Sequence, residues 1–270
     1  MAIITISRGS YSKGKEVAEK VAEKLGYECI SRDVLLQASE RFRIPEIKLV
    51  RAIHDAPSIL RRFSHDKQAY IAYIQSALTG RVRKDHVVYH GLAGHLLLKG
   101  VPHVLKVRII ADLPDRVANE MAREGITEEE ARTLIQKDDE ERRKWTQSLY
   151  GVDPWDCHLY DFVLRVHKLT VGDAVDFICQ AALRDAFKTT PASQQKMDDL
   201  ALACQIKAIL IESFPDVAVT SEYGNVLVYT KAGDRSTHKL QKRTKELREE
   251  MGEIKYIEVH AGGTTPPEAV

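Results

Sequence analysis

The chain has 270 residues, 29% of them charged, and its 40 Lys and Arg nearly balance its 39 Asp and Glu, for a formal net charge of +1 at pH 7. That length can bury a sizeable core and allows two domains, while the charge balance provides no long-range field favouring DNA or an anionic membrane as main partner. No apolar run approaches the roughly 20 residues of a membrane-spanning helix, and the opening residues lack the basic, apolar and small-residue order of a secretory signal. Cys29, Cys157, Cys179 and Cys204 show no C-x-x-C spacing, so a cytoplasmic protein with reduced thiols is expected, without a zinc site or disulfide framework.

In chain order, Ala2-Ile3-Ile4-Thr5-Ile6 is a β-branched run suited to a buried first strand. Gly9-Ser10-Tyr11-Ser12-Lys13-Gly14-Lys15 follows, reading G-x-x-x-x-G-K. Val17, Ala18, Val21, Ala22 and Leu25 then recur at helical spacing as far as Gly26. Strand, glycine loop and helix in this order aim backbone N–H groups and the positive helix end at a phosphate, with Lys15 reaching the outer phosphates as a point charge. Position 16 is Glu where the pattern usually has Ser or Thr for Mg²⁺. The plainer reading of the same residues is a tight strand-to-helix turn with a surface lysine.

Residues 27–30 predict a short strand, and 34–80 a helical region broken near Pro45 and Pro57. Residues 86–90 and 104–110 predict two apolar strands with a helix between them. A helix starts near Pro114 and fades at Gly125, and Thr127 with Glu130 forms a capping-box spacing that opens a long polar helix to about Leu149. Residues 162–166 predict a further strand, and Thr170 caps a helix from about Val171 to Phe187. Alternating strands and helices predict an α/β fold, with a parallel sheet covered by helices on both faces. Residues 188–197 lack an apolar anchor and read as a linker. Residues 198–260 then predict a separate α-β-β-α-β unit, and the glycine- and proline-containing tail 261–270 is expected to be disordered.

The run Lys137-Asp138-Asp139-Glu140-Glu141-Arg142-Arg143-Lys144 reads either as a solvated face with intrahelical ion pairs or as a lid that brings arginine over a transferred phosphoryl group. Arg suits that task because it stays protonated and presents a fork of donors.

Ile6-Ser7-Arg8-Gly9, the loop to Lys15, Asp139-x-x-Arg142, Tyr150-Gly151-x-Asp153 and Tyr160-Asp161 resemble the cytidylate kinase-like proteins in order and spacing over residues 1–187. The resemblance implies a P-loop nucleoside monophosphate kinase fold with a helical lid. It would move the γ-phosphoryl group of ATP, with Mg²⁺, to a nucleotide of the CMP type. Gly9, Ser10, Tyr11, Ser12, Lys13, Gly14, Lys15 and Glu16 would hold the donor phosphates. Lys15 would be the loop lysine and Arg142 the lid arginine, with the adjacent Arg143 able to share that role. Asp33 lies where the family often has an acidic residue beside the acceptor.

Three departures qualify the match. Glu16 and Val17 replace the hydroxyl residues near the loop lysine, which leaves Ser10 or Ser12, or water and phosphate alone, to serve Mg²⁺; no residue is assigned as a metal ligand. Leu92 stands where the family has an arginine at the acceptor site. His90 and His95 could compensate at the rim of the strand ends, or be hydrogen-bonded structural histidines. Arg41, with Arg61, Arg62, Arg81 and Arg83, lies in the region expected to cover the acceptor. Asp112 could orient metal-bound water, or simply start the turn into the next helix.

Residues 198–260 resemble a BON-like module, which implies a small interaction or ligand-sensing unit, and their sequence shows no catalytic constellation. Three functional readings remain open: a CMP-type kinase, a nucleotide sensor that has lost transfer, and a kinase of a non-nucleotide small molecule. Nucleic acid and membrane are not expected partners.

Overall fold

The computed structural model describes residues 2–31, 33–44, 64–91 and 93–270. Leu92, Arg61 and Arg62 lie outside them. The described chain divides into two compact units, one from residues 2–33 and 84–189, the other from residues 34–44, 64–83 and 190–270.

In the first unit, strands β1 (Ile3–Arg8), β2 (Glu28–Ile30), β3 (Val87–Tyr89), β4 (Val104–Ile110) and β5 (Phe162–Arg165) form one parallel sheet in the order β2-β3-β1-β4-β5. The α/β fold with a parallel sheet is therefore as the sequence predicts. Ile3, Ile4, Leu105, Val107 and Ile109 are fully buried, as expected for strands covered on both faces. Helix α1 (Gly14–Leu25) packs Val17, Ala18, Val21 and Ala22 into one core with Ala174, Val175, Ile178 and Cys179 of the helix Val171–Ala182. Gly26, at φ 67°, ends α1 by donating its N–H to the carbonyls of Ala22 and Glu23. A left-handed residue there suits glycine.

After β4 the chain forms a helical hairpin, Leu113–Glu124 and Glu128–Tyr150. The Thr127 hydroxyl accepts from the Glu130 N–H, and the Glu130 carboxylate accepts from the Thr127 N–H, completing the expected capping box. Val117, Ala131 and Ile135 make a small core of their own, against which Tyr11 of the glycine loop packs. The hairpin is thus joined to the loop by apolar contact as well as by polar bonds. Helix Val171–Ala182 stops before the expected Phe187, and a separate 3-10 turn covers Asp185–Phe187.

In the second unit, the helix Ser64–Val82 packs along the helix Pro191–Leu210. Strands β6 (Ala218–Glu222) and β7 (Asn225–Thr230) are antiparallel, and β8 (Tyr256–Ala261) pairs parallel to β7. With the helix Asp234–Glu250 between β7 and β8, the α-β-β-α-β order matches the sequence reading.

Three details differ from it. Residues 191–197, read as linker, are helical: Thr190 caps the helix through Ser193, and Pro191 sits in the first turn, where its missing N–H costs nothing. The helix Ser64–Val82 belongs to the second unit, although the sequence reading placed it in the first. The tail does not trail away, because Val270 and Val219 exchange backbone N–H···O bonds of 3.0 and 3.2 Å.

Tyr223 (φ 52°) and Gly224 (φ 79°) turn β6 into β7. Two successive positive φ values are those of a two-residue hairpin loop that follows strand twist. A Cβ on Gly224 would also lie 2.8 Å from the Glu253 carbonyl oxygen. Gly224→Ala should therefore destabilise the protein by about 1–3 kcal/mol in urea unfolding; a loss within error would show that the turn tolerates a side chain.

Candidate active site

The glycine loop begins at the C-terminal end of β1 and is fastened to β4. Gly9 N–H donates to the Ile109 carbonyl (3.1 Å), and the buried Ser12 hydroxyl is bonded to the carbonyls of Gly9 (2.9 Å) and Ile109 (3.1 Å). Tyr11 and Lys13 take φ near 60°, so the backbone curls before α1 starts at Gly14. Alternation of this kind makes concave sets of N–H groups that accept anions. A Cβ on Gly14 would fall 2.6 Å from the Arg8 Cβ, so glycine there lets the loop close onto the Arg8 side chain. Lys15 is exposed and loosely paired with Glu19 (3.6 Å), which leaves it able to turn towards a ligand.

The helical hairpin reaches this loop from the other side. Arg116 donates from Nε to the Ser10 carbonyl (2.6 Å) and from Nη2 to Asp139 Oδ2 (2.6 Å), while Asp139 Oδ1 accepts from the Ser10 N–H (3.3 Å). The Tyr11 hydroxyl donates to Asp138 (3.2 Å), and the Arg123 guanidinium lies 4.6 Å from the centre of the Tyr11 ring. Burial, then Asp138, raises the Tyr11 pKa.

Arg142 Nη1 is 3.4 Å from the Arg8 carbonyl, which it donates to, at the mouth of the loop. Arg143 points elsewhere: both its Nε and Nη2 donate to Asp153 Oδ2 (3.0 and 2.5 Å), and its guanidinium lies 4.5 Å from the Trp155 ring centre. The Arg143 hydrogen bond holds the Asp153 carboxyl below its ordinary pKa. Adjacent positions on a helix differ by about 100° of phase, and here that separates an arginine at the loop from one engaged in an ion pair.

His90 directly follows β3, is 6% exposed, and has Nδ1 buried and unpartnered among the described residues. Burial, then the nearby Arg8 charge, lowers its pKa to about 4. His95 is 4% exposed, stands 4.6 Å from the Tyr160 ring centre, and has both ring nitrogens unpartnered among the described residues. Burial, then Arg108, lowers its pKa to about 3. Asp33 is exposed at the start of the helix Asp33–Phe42, where Oδ2 accepts weakly from the Ser31 N–H (3.4 Å). Arg41 belongs to the second unit, where its guanidinium lies 5.4 Å from the Phe42 ring centre.

The loop residues fit a nucleotide's phosphates, but they offer a metal little. Glu16 is exposed and paired with Lys20 at 2.8 Å, and the Ser12 hydroxyl is committed to two carbonyls. Asp112 is held by Arg165, whose hydrogen bond lowers the Asp112 pKa. Ser10 Oγ is the remaining candidate, buried and without a partner among the described residues. These donors suit a cation carried on the phosphates and water better than one held by the chain.

Residues 3–168 match the sequence profile of the cytidylate kinase-like family. The chain belongs to that family. Similar curated proteins are the cytidylate kinases of Methanopyrus kandleri (45% identity over 64 residues, 24% of this chain and 33% of that protein), Methanosarcina acetivorans (36% over 97 residues, 35% and 52%) and Pyrococcus furiosus (27% over 184 residues, 67% and 88%). The first two matches span a third and about half of those family members. Similar solved structures include an uncharacterized protein from Eubacterium ventriosum (TM-score 0.49, 19% identity, 67% of this chain and 98% of that one). A sugar kinase from Janibacter sp. is another (TM-score 0.44, 13% identity, 70% and 99%).

Two residues of the site have no role in the sequence reading. Arg116 stands alone in the first turn after β4, and its position near a strand's C-terminal end is the one signal that could have raised it. Arg8 contributes to the family resemblance, yet sequence alone gives its side chain no role.

Both histidines are buried with pKa values below 6.5, so the unfolded chain binds more protons than the folded one as pH falls from about 6.5 to 4. Stability should therefore drop across that window, and His90→Gln should flatten the drop in urea titrations at several pH values. An unchanged slope in that variant would place the His90 proton uptake elsewhere.

Proposed function

We propose that this protein transfers the γ-phosphoryl group of ATP to a nucleoside monophosphate of the CMP type. The observation that carries this reading is the meeting of Arg142 with the phosphate loop: a guanidinium from residue 142 lies against the Arg8 carbonyl, beside a helix N-terminus built to receive phosphate. Family membership supports the same reaction class.

In this reading the backbone of residues 9–14 cradles the donor phosphates, Lys15 swings to the outer ones, and Arg142 neutralises charge that spreads over the transferred group. Mg²⁺ supplies further neutralisation across the phosphate oxygens when it is bound with the nucleotide. Direct in-line transfer depends on positioning and charge, so the chain supplies no covalent nucleophile. Arg143 would hold the hairpin through Asp153 instead of touching phosphate. Asp33 and His90 would border the acceptor.

A second reading is a nucleotide sensor. It is favoured by Glu16 in the loop and by the Asp139 carboxylate that already accepts from Ser10 N–H. A third keeps the kinase but gives it a non-nucleotide acceptor. The C-terminal α-β-β-α-β unit would act as a BON-like interaction or ligand-sensing module. Among the described residues no helix is long and apolar enough to cross a membrane.

Incubation with ATP, Mg²⁺ and a panel of CMP, dCMP, UMP and AMP should release ADP only when an acceptor is present. ATP binding without ADP across the panel would favour the sensor or the non-nucleotide acceptor. Lys15→Ala and Arg142→Ala should each lower turnover by about 1,000-fold with the melting temperature little changed; undiminished turnover would remove that residue from the mechanism.

A further inference from the structure

We propose that Arg8 is an acceptor-binding residue, holding the phosphate monoester of the acceptor in a pocket that it shares with His90. This rests on the kinase reading above and specifies the acceptor chemistry.

Arg8 is the last residue of β1, and its side chain lies over Gly14: a Cβ there would come within 2.6 Å of the Arg8 Cβ and 3.2 Å of its Cδ. The stem is thereby held against the start of α1. The guanidinium is partly withdrawn from water, yet no carboxylate or carbonyl partner receives it among the described residues. Its close charged neighbours are largely of its own sign. Burial, then Arg142, then Arg123, lower its pKa, with only Tyr11 and Glu19 acting the other way.

Arg142 likewise has no carboxylate partner among the described residues, and its one bond from the guanidinium goes to the Arg8 carbonyl. Half-buried cations without counter-charges are unfavourable unless an anion joins them. Other arginines of this unit are spent on partners: Arg116 on Asp139, Arg143 on Asp153, Arg165 on Asp112, and the buried Arg108 on the Pro154 carbonyl and the Tyr160 hydroxyl. Arg8 and Arg142 are left for a ligand.

His90 supplies the second, independent sign of a ligand. Its Nδ1 is buried without a partner on a residue only 6% exposed, although a buried imidazole nitrogen ordinarily finds a hydrogen bond. It directly follows β3, the strand next to β1, and feels the Arg8 charge. The two residues therefore stand at the C-terminal ends of neighbouring parallel strands, where open α/β sheets take ligands. The loop's anchor to Ile109 and the Arg116–Asp139 pair lie on the β4 side of β1 instead. An uncharged imidazole beside a guanidinium suits a phosphate monoester flanked by a neutral polar group; a neutral acceptor would leave Arg8 uncompensated.

The test uses the full chain with Arg8→Gln and Arg8→Lys. Initial rates of ADP formation give KM for ATP and for the accepted monophosphate, and calorimetry gives the binding of CMP against cytidine. In Arg8→Gln the KM of the monophosphate should rise by about 10- to 150-fold, the range for a lost charged hydrogen bond, with KM for ATP within about 3-fold. Arg8→Lys should recover part of the loss, which excludes simple misfolding. An unchanged acceptor KM, or an equal rise for ATP, overturns the proposal while leaving the kinase intact. If the wild type makes no ADP but binds CMP more tightly than cytidine, and Arg8→Gln abolishes that preference, Arg8 keeps its role and the kinase reading falls. If the wild type binds none of the four monophosphates, the proposal falls with it.

Discussion

A single carbonyl, that of Ile109, anchors the site. It accepts both the Gly9 N–H and the Ser12 hydroxyl, and thereby ties the end of β1 to the end of β4 in a place where water cannot substitute. From that point the loop can curl through Tyr11 and Lys13, because its first turn is already fixed. Gly14 then closes on Arg8, and α1 starts with its N–H groups clear. The same strand, β4, leads into the hairpin whose Arg116 returns to the Ser10 carbonyl. Loop and hairpin are consequently two branches from one pair of hydrogen-bonded strands.

Charge in the site falls into two sets. Arg116 and Asp139 neutralise each other over Ser10, and Arg143 with Asp153 does the same further along the hairpin. These pairs fix geometry. Lys15, Arg8 and Arg142 have weak partners or none of opposite charge among the described residues, and on the proposed reading these are the cations that meet phosphates. That reading has the paired charges define the loop and the unpaired ones do the binding.

Elements written by contiguous residues were legible in the sequence. The loop, the Thr127–Glu130 cap and the strand at 104–110 depend on neighbours in the chain, so composition and spacing reveal them. The start of the helix at Pro191 is equally local, set by Thr190 and Ser193, but residues 188–197 lack the apolar anchor by which a helix shows itself in sequence. Other features depend on contacts between distant residues. The partnership of the helix Ser64–Val82 with Pro191–Leu210 has no local signature. Arg142 and Arg143 are chemically identical side by side, and only helix phase decides which reaches the loop. Arg116 is a lone arginine in sequence and a central one in space.

The second unit is not a bead at the end of the string. The helix Ser64–Val82 packs along Pro191–Leu210, and Arg83 binds both Asp198 and Glu253. Part of its helical layer is thus lent by a segment inserted between β2 and β3. A fragment beginning at residue 190 would lack that layer, bare one flank of its long helix, and be prone to aggregation. Exchanging this module for another would therefore mean altering two separate stretches of the chain together.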